Sequence, residues 1–392
     1  MNKIHVLVVM RWPVGGIRTF CRYVYNNFDK RKFKFTILAP SVNELDTLID
    51  DLKGYDICLI KTSFSGDMAY LKYSMVVKTI LFGHYDIIHS HGLSAGLYCS
   101  LPAKLKRIPH MMTCHDVFTE NQFIGINGLV KKMVISCLLS FIDKIHYVSH
   151  DARDNIFEYI PILKLFRNKN FVALNGINVD QFINATPRNF HKEMNLPDNT
   201  FIVGFMGRFM AQKGFTYLVG AVDILVKKNN VKNLKVLCFG WGGYIREEQE
   251  NIHKKNLDDY FIFLPFTANV ASSLKGLDVL AVPSLWEACP LLPMEAMVVG
   301  VPIVGTDCIG LREVLKNNKS SVKMISSKDS IALALALKSE LIKSSKNESN
   351  IFKNKAIELF DVRLQAKDLE KMFISLYSKK YYFILPRSHK VE

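Results

Sequence analysis

The sequence predicts an α/β protein built from two doubly wound units in tandem, and three observations predict it. Short β-rich runs recur along the chain with longer helical stretches between them, and they are apolar at successive rather than alternate positions. Strands buried on both faces read this way, as in parallel sheets covered by helices. The series then stops and restarts, with seven runs before residue 181 and six after residue 200. Between them, 181–200 is polar and holds Pro187 and Pro197, the composition of a boundary.

The first series is Ile4–Met10, Phe33–Leu38, Asp56–Ile60, Asp86–Ser90, His110–Cys114, Lys144–Val148 and Phe171–Leu174. The second is Phe201–Met206, Leu234–Phe239, Phe261–Leu264, Leu277–Val282, Val301–Gly305 and Ser321–Ile325. Stretches such as Phe215–Lys228 supply the helical crossovers that parallel neighbours require. Met133–Ile142 is the best apolar run, bounded by Lys132 and Asp143. It falls far short of the ~18–20 residues of a bilayer span and reads as a core helix rather than an interfacial one. Ile357–Ser378 reads as one or two helices, and "KKYYFILPRSHKVE" after it as a loose or surface-docked basic tail.

At 49% hydrophobic and 22% charged, the 392 residues can supply a core for each unit, which excludes disorder. No two of the eight cysteines fall within four residues, so there is no CxxC metal or redox pair. The short run Ile4–Met10 is interrupted by Arg11 and is no signal peptide, so the cysteines read as reduced, buried thiols of a cytoplasmic protein. The net charge of +15 is shared along the chain, with 22 basic and 15 acidic residues through Gln181. No basic arm of the kind that grips nucleic acid stands out. Clusters at Lys30, Arg31, Lys32 and Lys34, at Lys104, Lys106 and Arg107, and at Lys131 and Lys132 suit either a plain solvated surface or contact with an anionic membrane or phosphate-bearing ligand.

Open α/β sheets bind ligands outside the carboxyl ends of their strands, so two such units facing each other make a cleft lined by strand-to-helix loops. After the first strand, "RWPVGGIRTF" sets Gly15 and Gly16 at a helix start, where backbone N–H groups can approach an anion. This is not a GxGxxG dinucleotide fingerprint. "DIIHSHG" ends a strand with His89 and His91; no third ligand with metal spacing is visible, and hydrogen bonds to loop backbone or a sugar hydroxyl are the preferred reading. In "TCHD", His115 is a substrate-orienting candidate. Cys114 is not paired with it as a nucleophile, because neighbours on a strand face opposite ways.

In the second unit, "GFMGRFMAQKGF" brings Arg208 and Lys213 to a strand end, a planar fork and a compact charge that both suit a diphosphate. "FGWGGY" offers Gly240, Gly242 and Gly243 for close backbone approach. "EACPLLPME" follows the buried run "LDVLAVPSLW". Pro290 and Pro293 are tolerated only in a loop or a first helical turn, so a helix starts near Leu291 or Pro293. Glu287 then lies in the loop and Glu295 in the first turns, two carboxylates at one helix N-terminus. Carboxylates accept hydrogen bonds from the hydroxyls of sugars, and the cations suit the phosphates between, which describes a nucleotide sugar. A glycosidase acid pair would leave the phosphate elements unused.

"GFMGRFMAQKG", "VPSLWEACPLLPMEAM" and "GVPIVGTDCIGLRE", in this order, resemble the retaining GT-B glycosyltransferases of family 4 (group 1 type). Glu287 and Glu295 match the family's E-x7-E signature, and "NGINVDQF" resembles its entry into the second domain, with Asn178 replacing an Asp. The resemblance implies a GT-B fold: an acceptor-side domain over 1–185, a nucleotide-sugar-binding domain over 186–360, a helix over 361–380 returning to the first domain, and a basic tail over 381–392. It implies Arg208 and Lys213 on the donor diphosphate, Glu295 at the ribose, Glu287 at the transferred sugar, Gly16 beside Gly15 near the phosphate and His115 near the donor sugar. Gly240, Pro290, Leu291 and Leu292 line the donor site in this picture. Catalytic roles fall to Glu287, His115, Arg208 and Lys213, with no metal and no bound cofactor.

The activity implied is transfer of a hexose-type sugar, with retention, from a nucleotide-diphosphate sugar to a glycan or lipid-linked acceptor in bacterial surface polysaccharide assembly, at the inner face of the cytoplasmic membrane. Alternatives are a same-fold nucleotide-sugar 2-epimerase, a phosphorylase (no pyridoxal-lysine motif is seen) or a non-catalytic basic protein on membrane or nucleic acid.

Overall fold

Each of the thirteen runs forms a strand. In the computed structural model, which describes residues 3–62, 72–265, 267 and 269–384, the first seven are β1 (Ile4–Met10), β2 (Phe33–Pro40), β3 (Ile57–Thr62), β4 (Ile87–His91), β5 (His110–Cys114), β6 (Lys144–Tyr147) and β7 (Asn170–Val172). They form one parallel sheet in the order β3-β2-β1-β4-β5-β6-β7. The second sheet holds β8 (Phe201–Met206), β9 (Leu234–Phe239), β10 (Phe261–Leu264), β11 (Val279–Val282), β12 (Ile303–Thr306) and β13 (Val322–Ile325). Its order is β10-β9-β8-β11-β12-β13, again parallel. In both sheets the order reverses beside the first strand, between β1 and β4 and between β8 and β11. Loops leaving neighbouring strands there diverge to opposite faces and open a crevice.

The chain divides into two compact units: Met1–Asn175 with Val362–Glu392, and Gly176–Asp361. The division precedes the polar stretch 181–200 because Ile177 already belongs to the second unit. It bridges Asp361, and its N–H donates to the Phe360 carbonyl at 2.7 Å. The helix Val179–Ile183 buries Val179 and Phe182 and packs on the helix Leu291–Val299.

Two helices end the described chain, Lys346–Phe360 and Val362–Ile384. The second packs on the first unit, against β4 and the helix Gly16–Asn26. Phe373, fully buried, meets Phe28, Phe33 and His89 edge-on. Lys32 and Glu370 pair at 3.0 Å. The helix runs past the expected helix–tail boundary, and 385–392 of that tail lie outside the described residues.

Alternation along β1 and β4 divides the first core in two. Leu7, Val9 and Ile88 face one side of the sheet with Val76, Ile80 and Cys99. Val8, Met10, His89 and His91 are matched in register on the other side, where Tyr25 covers them.

Two sequence expectations need correction here. The run Met133–Ile142 is a core helix only in part: it lies mostly in the helix Gly125–Ser140, where Ile135 and Leu139 are buried, as is Ile142 just beyond, but Met133 and Val134, with Ile126, Leu129 and Val130 before them, are 51–82% exposed. The helix is apolar on both sides, and the sheet covers one. Of the eight cysteines, all free, Cys58 and Cys137 are exposed rather than buried. No helix among the described residues is long and apolar enough to cross a membrane.

Candidate functional site

In the first unit, the loops at the strand reversal gather polar groups. Gly15, at φ +57°, precedes the helix Gly16–Asn26, whose N-terminus no side chain caps. Among the described residues, nothing lies within 4 Å of where a Cβ would sit on either glycine. Arg11 Nη1 donates to Ser94 Oγ at 2.9 Å, tying the loop after β1 to the helix after β4. Burial raises the pKa of Asp116, and the Leu93 N–H and Arg11 work against that rise. Arg11 and Asp116 escaped the sequence reading, although both stand within two residues of a strand end.

His115 follows β5 and shares a 3.0 Å hydrogen bond between its Nε2 and His91 Nδ1. Burial pushes its pKa down to about 3, with His146 adding to the shift. Cys114 turns away: its Sγ meets the Asp116 carbonyl at 3.5 Å, and burial pushes the thiol up to about 12. His89 and His91 are 0% and 1% exposed, and among the described residues their partners are side chains rather than the expected loop backbone. They meet Tyr25 Oη at 2.7 and 2.8 Å, beneath the helix Gly16–Asn26. The HxH spacing put both on one strand face, and burial on that face decides their partners. Among the described residues, no group of three or more His, Cys, Asp or Glu is placed to hold a metal ion.

In the second unit, four strand-end loops are zipped together by backbone. Gly207 N–H donates to the Phe239 carbonyl and Phe209 N–H to that of Trp241, both at 2.9 Å, joining the loops after β8 and β9. Leu285 N–H donates to the Gln212 carbonyl at 2.8 Å, and Glu287 N–H to that of Ile309 at 3.0 Å, adding the loops after β11 and β12. Gly240, at φ +141°, makes this approach possible: a Cβ there would sit 1.9 Å from the Gly207 carbonyl oxygen. Its room is occupied by backbone.

At the centre, Lys213 Nζ lies 2.6 Å from Glu287 Oε1, which also accepts from Ser284 Oγ at 2.8 Å. Gln212 Nε2 donates to the Trp286 carbonyl at 2.8 Å and reaches Glu287 Oε2 at 3.4 Å. Three donors from two loops therefore fix one carboxylate, 9% exposed, against a lysine 25% exposed. Ser284 and Gln212 escaped the sequence reading, having no pattern of their own. Arg208 stands exposed on the same loop, outside this group.

The helix Leu291–Val299 starts four residues beyond Glu287, with Pro290 as its N-cap residue and no capping side chain. Leu291 and Leu292 are half-buried in its first turn, and Glu295 is buried within it. A helix start of this kind directs N–H groups outward and favours negative charge. The second unit thus sets a held carboxylate, a paired lysine, an exposed arginine and a helix N-terminus at one strand reversal, equipment for an anion that also carries hydroxyls.

The profile described as glycosyl transferases group 1 matches residues 187–358, and that described as glycosyltransferase family 4 matches residues 14–181. The chain belongs to the group 1, family 4 glycosyltransferases. Similar relatives of this glycosyltransferase include an Escherichia coli UDP-Gal:alpha-D-GlcNAc-diphosphoundecaprenol alpha-1,3-galactosyltransferase, 22% identical over 81% of this chain and 82% of that one. Another is the E. coli O-antigen biosynthesis glycosyltransferase WclY, 25% identical over 56% of this chain and 60% of that one. Among solved structures, Anabaena Alr3699/HepE in complex with UDP-glucose superposes with a TM-score of 0.77 at 16% identity, covering 96% of this chain and all of that one. A Rickettsia africae glycosyltransferase gives 0.74 at 19% identity, over 96% and 99%. Two Rossmann-like units of parallel strands and these neighbours establish a two-domain α/β fold of the GT-B class.

Proposed function

We propose that this glycosyltransferase moves a hexose from a nucleotide-diphosphate sugar to a glycan or lipid-linked acceptor, with retention of configuration, in assembly of a bacterial surface polysaccharide. The observation that carries the reading is the Lys213–Glu287–Ser284 group, set at a strand reversal beside a helix N-terminus that no side chain caps. A donor diphosphate offers Lys213 a dianionic partner, and Arg208 on the same loop adds a second cation. Glu287 then accepts hydroxyls of the transferred sugar and Glu295 those of the ribose. Cleavage of the anomeric C–O bond builds charge on the departing phosphate, and cations and N–H groups already aimed at it lower the barrier. In this reading the chain's own cations, rather than a divalent ion, meet that charge. The UDP-Gal used by the E. coli relative and the UDP-glucose bound by the Anabaena neighbour favour a uridine donor, and the relative's diphosphoundecaprenol substrate favours a lipid-linked acceptor.

The reading places the enzyme at the inner face of the cytoplasmic membrane, and the stripe of exposed apolar residues on Gly125–Ser140 is the surface suited to it. That helix, the helix Leu93–Lys106 and the turn Pro161–Leu165 adjoin. Leu105, Ile126, Met133 and Leu165 are 65–82% exposed. Residues 93–107, 124–141 and 160–169 carry eight basic side chains and no acidic one. Apolar insertion with basic flanks is the chemistry of an anionic bilayer surface.

Nucleotide sugars screened for thermal stabilisation, followed by transfer assays with lipid-linked acceptors and anomeric NMR of the product, test the proposal. Arg208→Ala and Lys213→Ala should each weaken UDP binding in calorimetry. Unchanged affinity in both removes the assignment, and donor conversion without acceptor would favour the epimerase.

A further inference from the structure

Six side chains of the first unit form one hydrogen-bonded chain, and one end of it is a group that cannot donate. His146 Nε2 lies 2.8 Å from the Ala173 carbonyl oxygen. Thr113 Oγ1 bridges His146 Nδ1 at 3.1 Å and His89 Nε2 at 2.7 Å. Tyr25 Oη bridges His89 Nδ1 and His91 Nε2, and His91 Nδ1 meets His115 Nε2 at 3.0 Å. The sheet register assembles it, matching His91 to Thr113 and Thr113 to His146.

A neutral imidazole carries one N–H and one bare nitrogen, and a hydroxyl has one proton to give. Burial holds these rings neutral: His146 is pushed down to about 4, and His89 and His91 well below their ordinary value. The carbonyl requires a proton on His146 Nε2, so His146 Nδ1 is bare and takes the Thr113 proton. Thr113 Oγ1 must then accept from His89 Nε2–H. Bare His89 Nδ1 takes the Tyr25 proton, and Tyr25 Oη accepts from His91 Nε2–H. Bare His91 Nδ1 accepts from His115 Nε2–H. Cys21 agrees: its thiol reaches Met10 Sδ at 3.7 Å, leaving its sulfur towards His91 Nε2 at 3.6 Å.

We infer that the Ala173 carbonyl, acting through His146, Thr113, His89, Tyr25 and His91, fixes His115 as the Nε2–H tautomer, so that its free nitrogen, Nδ1, meets substrate only as a hydrogen-bond acceptor. Gln365, on the helix Val362–Ile384, also reaches that carbonyl, at 3.4 Å, and so steadies the anchor from the chain's other end. The five intermediate side chains are positioning residues. The acceptor role toward a donor-sugar hydroxyl rests on the glycosyl-transfer reading; the tautomer does not.

The test is two-bond 15N–1H correlation on 15N-histidine-labelled full chain without ligand, with the His115 signal assigned by its loss in His115→Asn. One bare Nδ1 and one protonated Nε2 are expected. A protonated Nδ1 or an averaged pair overturns the inference. Thr113→Val removes the bridging hydroxyl and should release His115 to a tautomer mixture, raising donor KM about tenfold by the loss of one oriented hydrogen bond, with a smaller change in kcat. Thr113→Ser keeps the hydroxyl and should restore both. If Thr113→Val fails to fold, Tyr25→Phe breaks the chain at its next link with the same expectation. An unchanged His115 tautomer in a folded break variant overturns the relay. A shifted tautomer with no change in KM keeps the relay and removes His115 from the donor site.

Discussion

Lys213 and Glu287 stand 74 positions apart, yet their charges meet at 2.6 Å. The pairing explains how Glu287 tolerates its burial. Removing the lysine strands a carboxylate that keeps only Ser284 and Gln212. We expect Lys213→Ala to lower turnover by roughly 10²–10³ and to destabilise the second unit by about 1–2 kcal/mol, below a fully buried pair because the lysine is partly exposed. The double variant with Glu287→Gln should lose less stability than the two singles added together, and chemical denaturation of all four proteins checks this coupling. Gly310 is a sharper case. It sits at φ +74°, and a Cβ there would lie 2.2 Å from the Glu287 carbonyl oxygen. Gly310→Ala should cost about 1–3 kcal/mol and shift the Glu287 loop. Thermal denaturation checks the first, and a loss of UDP affinity in calorimetry the second. At this scale the residues with chemical character were legible in the sequence: Lys213, Glu287, Glu295 and His115 all fall at strand ends or the adjoining helix. Gln212 and Tyr25 were not, because what singles them out is a neighbour on another element, which a linear reading does not show, and Ser284 was not, because its contact with Glu287 three positions on appears only once the loop is folded.

Elements read more easily than their surroundings. Runs apolar at every position became parallel strands because burial on both faces favours that composition. The same composition misled in Gly125–Ser140, where a helix apolar all round is covered on one side only. Two substitutions two positions apart separate the sides. Ile135→Ala empties a buried position and should cost about 2–4 kcal/mol. Met133→Asp, on the 65% exposed side chain, should leave stability within about 0.5 kcal/mol. It should also reduce co-sedimentation with vesicles containing phosphatidylglycerol, binding that high salt also weakens. Equal binding by Met133→Asp and the parent chain would remove the membrane role of this helix.

For the molecule as a whole, the buried imidazoles make stability a function of pH. His89, His91, His110, His115 and His146 all lie in the first unit with pKa values lowered by burial, to about 3 for His110 and His115 and about 4 for His146. Unfolding returns each to about 6.5. Below that pH the unfolded chain binds more protons than the folded one, so stability is fully present above pH 6.5 and drains as pH falls towards 4. Each such histidine contributes about 1.4 kcal/mol per pH unit across that window. Hydrogen exchange in urea at pH 7.5 and 5.0 should show the first unit losing protection far more than the second, which holds none of the five. Matched losses in the two would argue against the relay's burial.

The helix Val362–Ile384 carries one more consequence. It seats Phe373 among Phe28, Phe33 and His89, yet it is synthesised after every residue of Gly176–Asp361. On the ribosome, therefore, the amino-terminal half waits with an open seam while the carboxyl-terminal half emerges and can fold around its own sheet. Maturation of the earlier-made half finishes later, and a stalled nascent chain lacking this segment should be the species that chaperones hold.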